Sequence, residues 1–231
     1  MQLPLGVKLR DEATFDSFFG GPNAGVLDVL QRLSDPLQTP EERCVYIWGA
    51  PDSGRSHLLQ AACHRMAEAG SLAMYLPLDE VIDHGPGLLE GMDEVDLLCL
   101  DGLDVLAGHS DWEESLFHLY NRIQQRQGRL LMAAGAAPRV LGFQLPDLVS
   151  RLGWGLVFQL QSLDDEAKQQ MLKMRAERRG LQLPDEVARY ILSRGARGMG
   201  ELFAVLEQLD QASLQAQHKL TIPFVKRVMG W

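Results

Sequence analysis

The chain has 231 residues, which at about 150 residues per domain allows one large domain or two unequal ones. Apolar residues make up 46% and charged residues 23%, enough to bury a core, and no run of about 18 uncharged apolar residues offers a membrane span. The net charge of −9 argues against unaided binding to duplex DNA, because that affinity comes largely from Lys and Arg displacing counterions.

Residues 1–43 are punctuated by Pro4, Gly20-Gly21-Pro22, Pro36 and Pro40, and the pattern predicts one helix there, over 23–33. From Cys44 the sequence becomes rhythmic. Short apolar runs at 44–48, 71–76, 96–100, 129–134 and 156–160 have the length of buried strands. Helical stretches at 55–69, 112–127 and near 146–152 lie between them. This alternation predicts an α/β fold with a five-stranded parallel sheet covered on both faces.

After Ser162 the strand pattern stops, and helices are expected at 164–179, 184–194, 199–218 and 222–229. Pro184-Asp185-Glu186 suits a first helical turn, where the missing N–H of Pro costs nothing and acids complement the helix dipole. Leu202, Phe203, Leu206 and Leu209 read as a core-facing stripe. The charge balance changes at the same place. Residues 1–163 hold 11 basic and 22 acidic side chains, whereas residues 164–231 hold 11 and 9.

Three cysteines, Cys44, Cys63 and Cys99, fit neither a disulfide framework nor a CxxC pair, so a reducing compartment is expected. The first ten residues lack the basic start, apolar stretch and cleavage site of a secretory signal, which leads to a cytoplasmic expectation. The six histidines show no HExxH spacing, and no dedicated His or Cys metal site is expected.

The strongest local motif is Gly49-Ala50-Pro51-Asp52-Ser53-Gly54-Arg55-Ser56, which follows an apolar strand and opens a helix. That is the context of a phosphate-binding loop: glycines let successive N–H groups face an anion, and the helix N-terminus adds its positive end. Gly49, Ser53, Gly54, Arg55 and Ser56 are the candidate nucleotide contacts, with the Ser56 hydroxyl placed for Mg²⁺. Arg55 stands where the motif usually has Lys, and its planar guanidinium prefers bidentate pairing. A glycine-rich turn without ligand is the plainer alternative.

Leu97-Leu98-Cys99-Leu100-Asp101 is an apolar strand ending in an acid, suited to orienting a magnesium-bound water beside such a loop. Alone, Asp101 would more simply end a buried strand. The position after it, where a second acid would polarise an attacking water, is Gly102, and Asp104 is close in sequence but unplaced. Further on, Arg151 in Ser150-Arg151-Leu152-Gly153-Trp154-Gly155 either caps helix carbonyls or projects toward a neighbouring subunit's nucleotide as an arginine finger. Spacing alone favours the cap.

With these residues in view, the chain from about residue 14 onward resembles the AAA+ module of the DnaA family, and within it the short Hda-type regulators. The resemblance is carried by Gly54-Arg55-Ser56-His57-Leu58-Leu59, Phe117-His118-Leu119-Tyr120-Asn121-Arg122, Leu145-Pro146-Asp147-Leu148 with Ser150-Arg151, and Lys219-Leu220-Thr221-Ile222-Pro223-Phe224-Val225-Lys226. It implies a tail (1–13), an AAA+ α/β nucleotide-binding domain (14–163) and a helical lid domain (164–231), with no DNA-binding domain after Trp231. It further implies a regulatory inactivator of the replication initiator DnaA, which joins the DNA-loaded sliding clamp (the beta subunit of DNA polymerase III) and stimulates hydrolysis of DnaA-bound ATP, preventing re-initiation. In that setting Arg151 becomes an arginine finger acting in trans, and Gln2, Leu3 and Leu5 of Gln2-Leu3-Pro4-Leu5 resemble a clamp-binding motif. DNA would be met only through the clamp, and self-association as a homodimer stays open.

Three departures bear on the nucleotide. Gly102 replaces the second acid, Met132-Ala133-Ala134-Gly135-Ala136 offers no polar sensor, and Gly200 stands where the lid sensor is normally Arg, with Arg197 one turn earlier. Since phosphoryl transfer depends on positioned charge around the γ-phosphate, little intrinsic hydrolysis is expected. A bound ADP, or ATP, with Mg²⁺ through Ser56 and Asp101, would then be structural. An independent AAA+ ATPase of the helicase-loader or clamp-loader type is the rival reading. Trp112, Trp154 and Trp231 are either core or contact residues.

Overall fold

The computed structural model describes residues 9–194, 198–216 and 219–231, except the side chains of Gln215 and Ala216. Two compact units divide between Gln161 and Ser162.

The first unit is built on five strands, β1 (Cys44–Trp48), β2 (Ala73–Pro77), β3 (Leu97–Asp101), β4 (Arg129–Ala134) and β5 (Leu156–Gln159). They form one parallel sheet in the order β2-β3-β4-β1-β5, with Cys44 beside Leu130, Leu97 beside Arg129 and Val45 beside Leu156. The expected α/β fold is the one observed. β3 and β4 are buried throughout, which is why they read as unbroken apolar runs, whereas the edge strand β5 alternates half-buried and exposed positions.

Both faces are covered. Val45, Ile47, Leu97, Cys99, Leu131 and Ala133 pack beneath α1 (Ala24–Leu33) and α2 (Arg55–Glu68). Tyr46, Leu98, Leu100, Leu130 and Met132 pack on the other face with Leu116, Leu119 and Ile123, which belong to α4 (Ser110–Gln125). Trp112 joins that core at 4% exposure, so of its two readings it is a core residue. Between β2 and α4 the chain makes the single turn α3 (Leu78–Val81) and four 3₁₀ turns, punctuated by Gly85, Gly91 and Gly102 in left-handed backbone. α5 (Pro146–Leu152) precedes β5.

Two buried polar groups tie the irregular segments to this frame. Arg129 donates to the carbonyls of Leu33, Asp35 and Gln38, fixing the chain after α1. Asn23 exchanges two hydrogen bonds with the backbone of Gln161, at 3.0 and 2.8 Å, and so anchors the end of the unit.

The second unit contains α6 (Asp165–Arg178), α7 (Asp185–Arg194), α8 (Met199–Ala216) and α9 (Ile222–Met229). Asp164 caps α6 by accepting from Ala167 N, and Thr221 caps α9 through Phe224 N. Their shared core holds Leu172, Val187, Ile191, Leu202, Val205, Leu206, Leu209 and Val225. Phe203 departs from the expected stripe. It is half-buried under the Arg175 guanidinium at 3.9 Å, and Val205 takes the core position. Among the described residues no helix is long and apolar enough to cross a membrane.

Candidate nucleotide site and arginine surface

The turn between β1 and α2 is shaped by its glycines. Gly49 N–H donates to the Ala134 carbonyl at 3.3 Å, holding the start of the loop against the end of β4. A Cβ on Gly49 would lie 2.8 Å from Ser53 Oγ and 3.0 Å from the Leu160 carbonyl. Gly54 has φ +95°, in the left-handed region, and a Cβ there would lie 2.6 Å from the Phe18 ring. Asp52 is also left-handed at φ +61°. Neither glycine position tolerates a side chain without rearrangement.

Gly54 caps α2 without contributing a side-chain acceptor. The first-turn N–H groups of Arg55 and Ser56 therefore have no partner within the helix, and they face the loop with the positive end of the helix dipole behind them. The Ser53 hydroxyl is buried and has no hydrogen-bond partner. Uncapped donors, an orphaned hydroxyl and a half-buried Arg55 make a cradle that fits an oxyanion such as a phosphate. The preceding segment braces it: His57 Nε2 lies 2.9 Å from the Thr14 carbonyl, and its ring is 5.5 Å from that of Phe18.

Asp101 closes β3 as a buried carboxylate, and the Tyr75 hydroxyl donates to its Oδ2 at 2.7 Å. Burial, followed by the Asp101 charge, pushes the Tyr75 phenol well above its ordinary value, while the neighbouring Gln60 and Ser56 side chains pull the other way. Tyr75 thus joins the two residues singled out for Mg²⁺, Ser56 and Asp101, around one phenol. Hydroxyl and carboxylate oxygens are the donors that a hard dication takes, so this pair fits the ion. Among the described residues no cluster of three His, Cys, Asp or Glu side chains could hold a metal by itself.

Gly102 lies in left-handed backbone at φ +78° with open space around it, a conformation that explains glycine in place of an acid. Asp104 is two residues on, and its carboxylate accepts from Gly135 N at 2.8 and 2.9 Å. The apolar sensor stretch therefore does have an acid against it, delivered from another strand end. Gly200 falls in the first turn of α8. Arg197 and the clamp-motif residues Gln2, Leu3 and Leu5 lie outside the described residues.

Arg151 stands in the last turn of α5. Backbone groups close that helix: Gly153 N donates to Val149 and Ser150 carbonyls, and Trp154 N donates to the Arg151 carbonyl. The Arg151 side chain does not serve as the cap. It is half-exposed, with its guanidinium 4.2 Å from the centre of the Trp154 ring. Glu113 on α4 seats the beginning of the same helix. It is 1% exposed, and its carboxylate accepts from Gly108, Gln144 and Leu145 N–H at 2.9, 2.8 and 2.8 Å. Tyr75 and Glu113 carry no motif in the sequence, since Asp101 reaches the first, and Gln144 and Leu145 the second, only through the fold.

Comparison with known proteins places this geometry. The family model described as the bacterial DnaA ATPase domain matches residues 9–159, more than half of the chain. The model described as the Hda lid domain matches residues 165–229. Domain III of the Thermotoga maritima replication initiation protein DnaA is similar in structure at a TM-score of 0.81 and 20% identity, over 97% of this chain and 98% of that one. The AMPPCP-bound DnaA of Aquifex aeolicus is similar at a TM-score of 0.77 and 23% identity, over 90% of this chain and 68% of that one. The RuvB Holliday junction branch migration motor of Thermotoga maritima is similar at a TM-score of 0.68 and 14% identity, over 94% and 73%. At these identities the structural likenesses speak for the fold, and the family match speaks for descent. A parallel sheet in this order, a strand-loop-helix phosphate cradle, and matches spanning both units together make the chain a member of the DnaA family of AAA+ proteins, carrying an Hda-type lid.

Proposed function

We propose that the chain is a cytoplasmic regulator that stimulates hydrolysis of ATP bound to the initiator DnaA, working from the DNA-loaded sliding clamp and so preventing re-initiation. The observation that carries this reading is the presentation of Arg151. It sits half-exposed at the end of a helix whose carbonyls the backbone already caps, and it rests on a ring that is 68% exposed. A guanidinium so placed is available to a phosphate on another molecule, where it would stabilise charge developing in phosphoryl transfer. The Hda-type lid match supports assignment to the regulatory branch.

The chain's own cradle is read as a structural ADP site. Gly49, Ser53, Gly54, Arg55 and Ser56 would surround the phosphates, and Ser56 with Asp101 would hold Mg²⁺, which when bound neutralises phosphate charge. The AMPPCP carried by the Aquifex aeolicus neighbour supports a nucleotide in this position. The clamp contact is assigned to Gln2, Leu3 and Leu5, where each leucine gains about 1.5–3 kcal/mol if fully buried in an apolar pocket. DNA is met through the clamp.

One test is a reconstitution with ATP-loaded DnaA, clamp and DNA, omitting each component in turn. Stimulated phosphate release that requires the chain, the clamp and DNA supports the proposal. Release at the basal rate of DnaA contradicts it. The Ser56 and Asp101 pair around Tyr75 favours a second reading, an independent ATPase of the loader type. Steady turnover by the purified chain without DnaA would support that reading instead.

A further inference from the structure

The Asp104 carboxylate is held at an unusual place for an acid. Both of its oxygens accept the same donor, Gly135 N, at 2.8 and 2.9 Å. Gly135 directly follows β4, beside the phosphate loop. A Cβ built on it would lie 2.8 Å from Asp104 Oδ1 and 3.5 Å from Arg55 Nη1, so the acid and the loop arginine flank one small space that glycine leaves open. Among the described residues they form no ion pair with each other, which leaves the Arg55 donors free for a ligand. Tyr46 closes the floor, with its hydroxyl bound to the Ala136 carbonyl at 2.8 Å. Its phenol is pushed up by burial first and by the Asp104 charge second, while Arg55 acts in the opposite direction. Asp104 and Arg55 therefore both act on the same corner of the cleft.

We infer that Asp104 is the residue that selects a nucleoside diphosphate over a triphosphate at this site, by holding a fixed negative charge where the third phosphate would approach Arg55. This rests on the reading of residues 49–56 as a nucleotide cradle. The residue opening the helix after such a loop reaches the terminal phosphates of a triphosphate. A like charge within about 4–6 Å of an anion disfavours it, and a carboxylate whose two oxygens share the Gly135 N–H is oriented toward that corner. A diphosphate stops short of that corner and keeps the loop's N–H donors. The same acid, locked on a backbone N–H, is poorly free to orient an attacking water.

The test is the affinity of the full-length chain for ADP and for ATP, measured by titration calorimetry with and without Mg²⁺. Asp104→Asn keeps an oxygen for Gly135 N–H and removes the charge, Asp104→Ser removes the charge with a smaller side chain, and Asp104→Glu retains it. Both neutral variants are expected to bind ATP about tenfold more tightly, with ADP affinity changed less than twofold, and Asp104→Glu is expected to keep the diphosphate preference. Equal changes for the two nucleotides, or an Asp104→Glu variant that loses selectivity like the neutral ones, would overturn the assignment. A wild-type chain that binds neither nucleotide would overturn the cradle reading itself, and the assignment with it. Thermal unfolding of each variant identifies any that fails to fold, and the second neutral variant then decides the matter.

Discussion

The guanidinium of Arg151 stacks on Trp154 three residues along the chain, 4.2 Å from the ring centre, and the ring is itself 68% exposed. A large aromatic left in water is ordinarily a poor arrangement, and here its outer face supports a cation that no carboxylate neutralises among the described residues. Under the proposed function the pair would act as a presentation device. The tryptophan restricts the arginine's rotamers before any partner arrives, which lowers the entropy lost on engagement. Trp154→Ala should therefore reduce stimulation of DnaA-bound ATP hydrolysis by about two- to fivefold, the equivalent of an exposed cation–π contact, while clamp capture stays intact. Trp154→Phe should lie between the two. Phosphate release in the reconstituted system reads both, and an unchanged rate for Trp154→Ala would remove the tryptophan from the account.

Glu113 is expected to be the foundation of that device. Glu113 is itself 1% exposed, and replacing it by Ala leaves three N–H groups, of Gly108, Gln144 and Leu145, without their acceptor. The loss should be about 3 kcal/mol in urea unfolding, because hydrogen bonds to a charged group exceed ordinary ones and three are lost together. Glu113→Gln should recover part of it. A destabilisation below about 1 kcal/mol would show that α5 is seated by other contacts.

Acid stability should report Asp93. Burial alone would raise this carboxyl, but the Arg122 hydrogen bond at 2.9 Å, its own backbone N–H, and the charges of Arg122 and Arg126 outweigh it and hold it below the ordinary carboxylate range. A folded-state value depressed below the unfolded one contributes stability that is full above the unfolded value and is lost as the pH falls toward the folded one. Asp93→Asn should thus be less stable than the parent at neutral pH, and the two unfolding curves should converge below about pH 4. Parallel curves down to pH 3 would contradict this.

The loop glycine should be intolerant. Gly54→Ala combines a left-handed φ of +95° with a Cβ 2.6 Å from Phe18. We expect a loss of more than about 1 kcal/mol in thermal or urea unfolding and loss of ADP binding, since the cradle and its bracing segment must move together. Retained nucleotide affinity would show that the loop adapts.

The sheet was legible because β1, β3 and β4 are apolar at nearly every position, a pattern that only strands buried on both faces require. The stretches 78–94 and 103–106 on either side of β3 were not, because α3 and its neighbouring 3₁₀ turns are too short to establish a period. In the lid, Leu202, Leu206 and Leu209 followed the helical stripe, while Phe203 left it because an arginine face suits a half-exposed ring as well as a core does. The phosphate loop announced itself through local chemistry, in which glycines, strand and helix are adjacent. The contact between Asp104 and Gly135 spans 31 residues, and the one between Tyr75 and Asp101 spans 26, so each exists only once β3 lies beside its neighbours in register. Arg151 could be singled out from the sequence, but its freedom from capping could not, because that depends on Gly153 and Trp154 backbone groups reaching the last carbonyls first.

The most direct measurement of the central claim compares the wild-type chain with Arg151→Ala in phosphate release from ATP-loaded DnaA on clamp-loaded DNA, with clamp capture and thermal stability followed on the same samples. The account predicts that Arg151→Ala folds and is captured normally but leaves DnaA at its basal hydrolysis rate. An Arg151→Ala variant that is captured and still stimulates hydrolysis as the wild type does would contradict it.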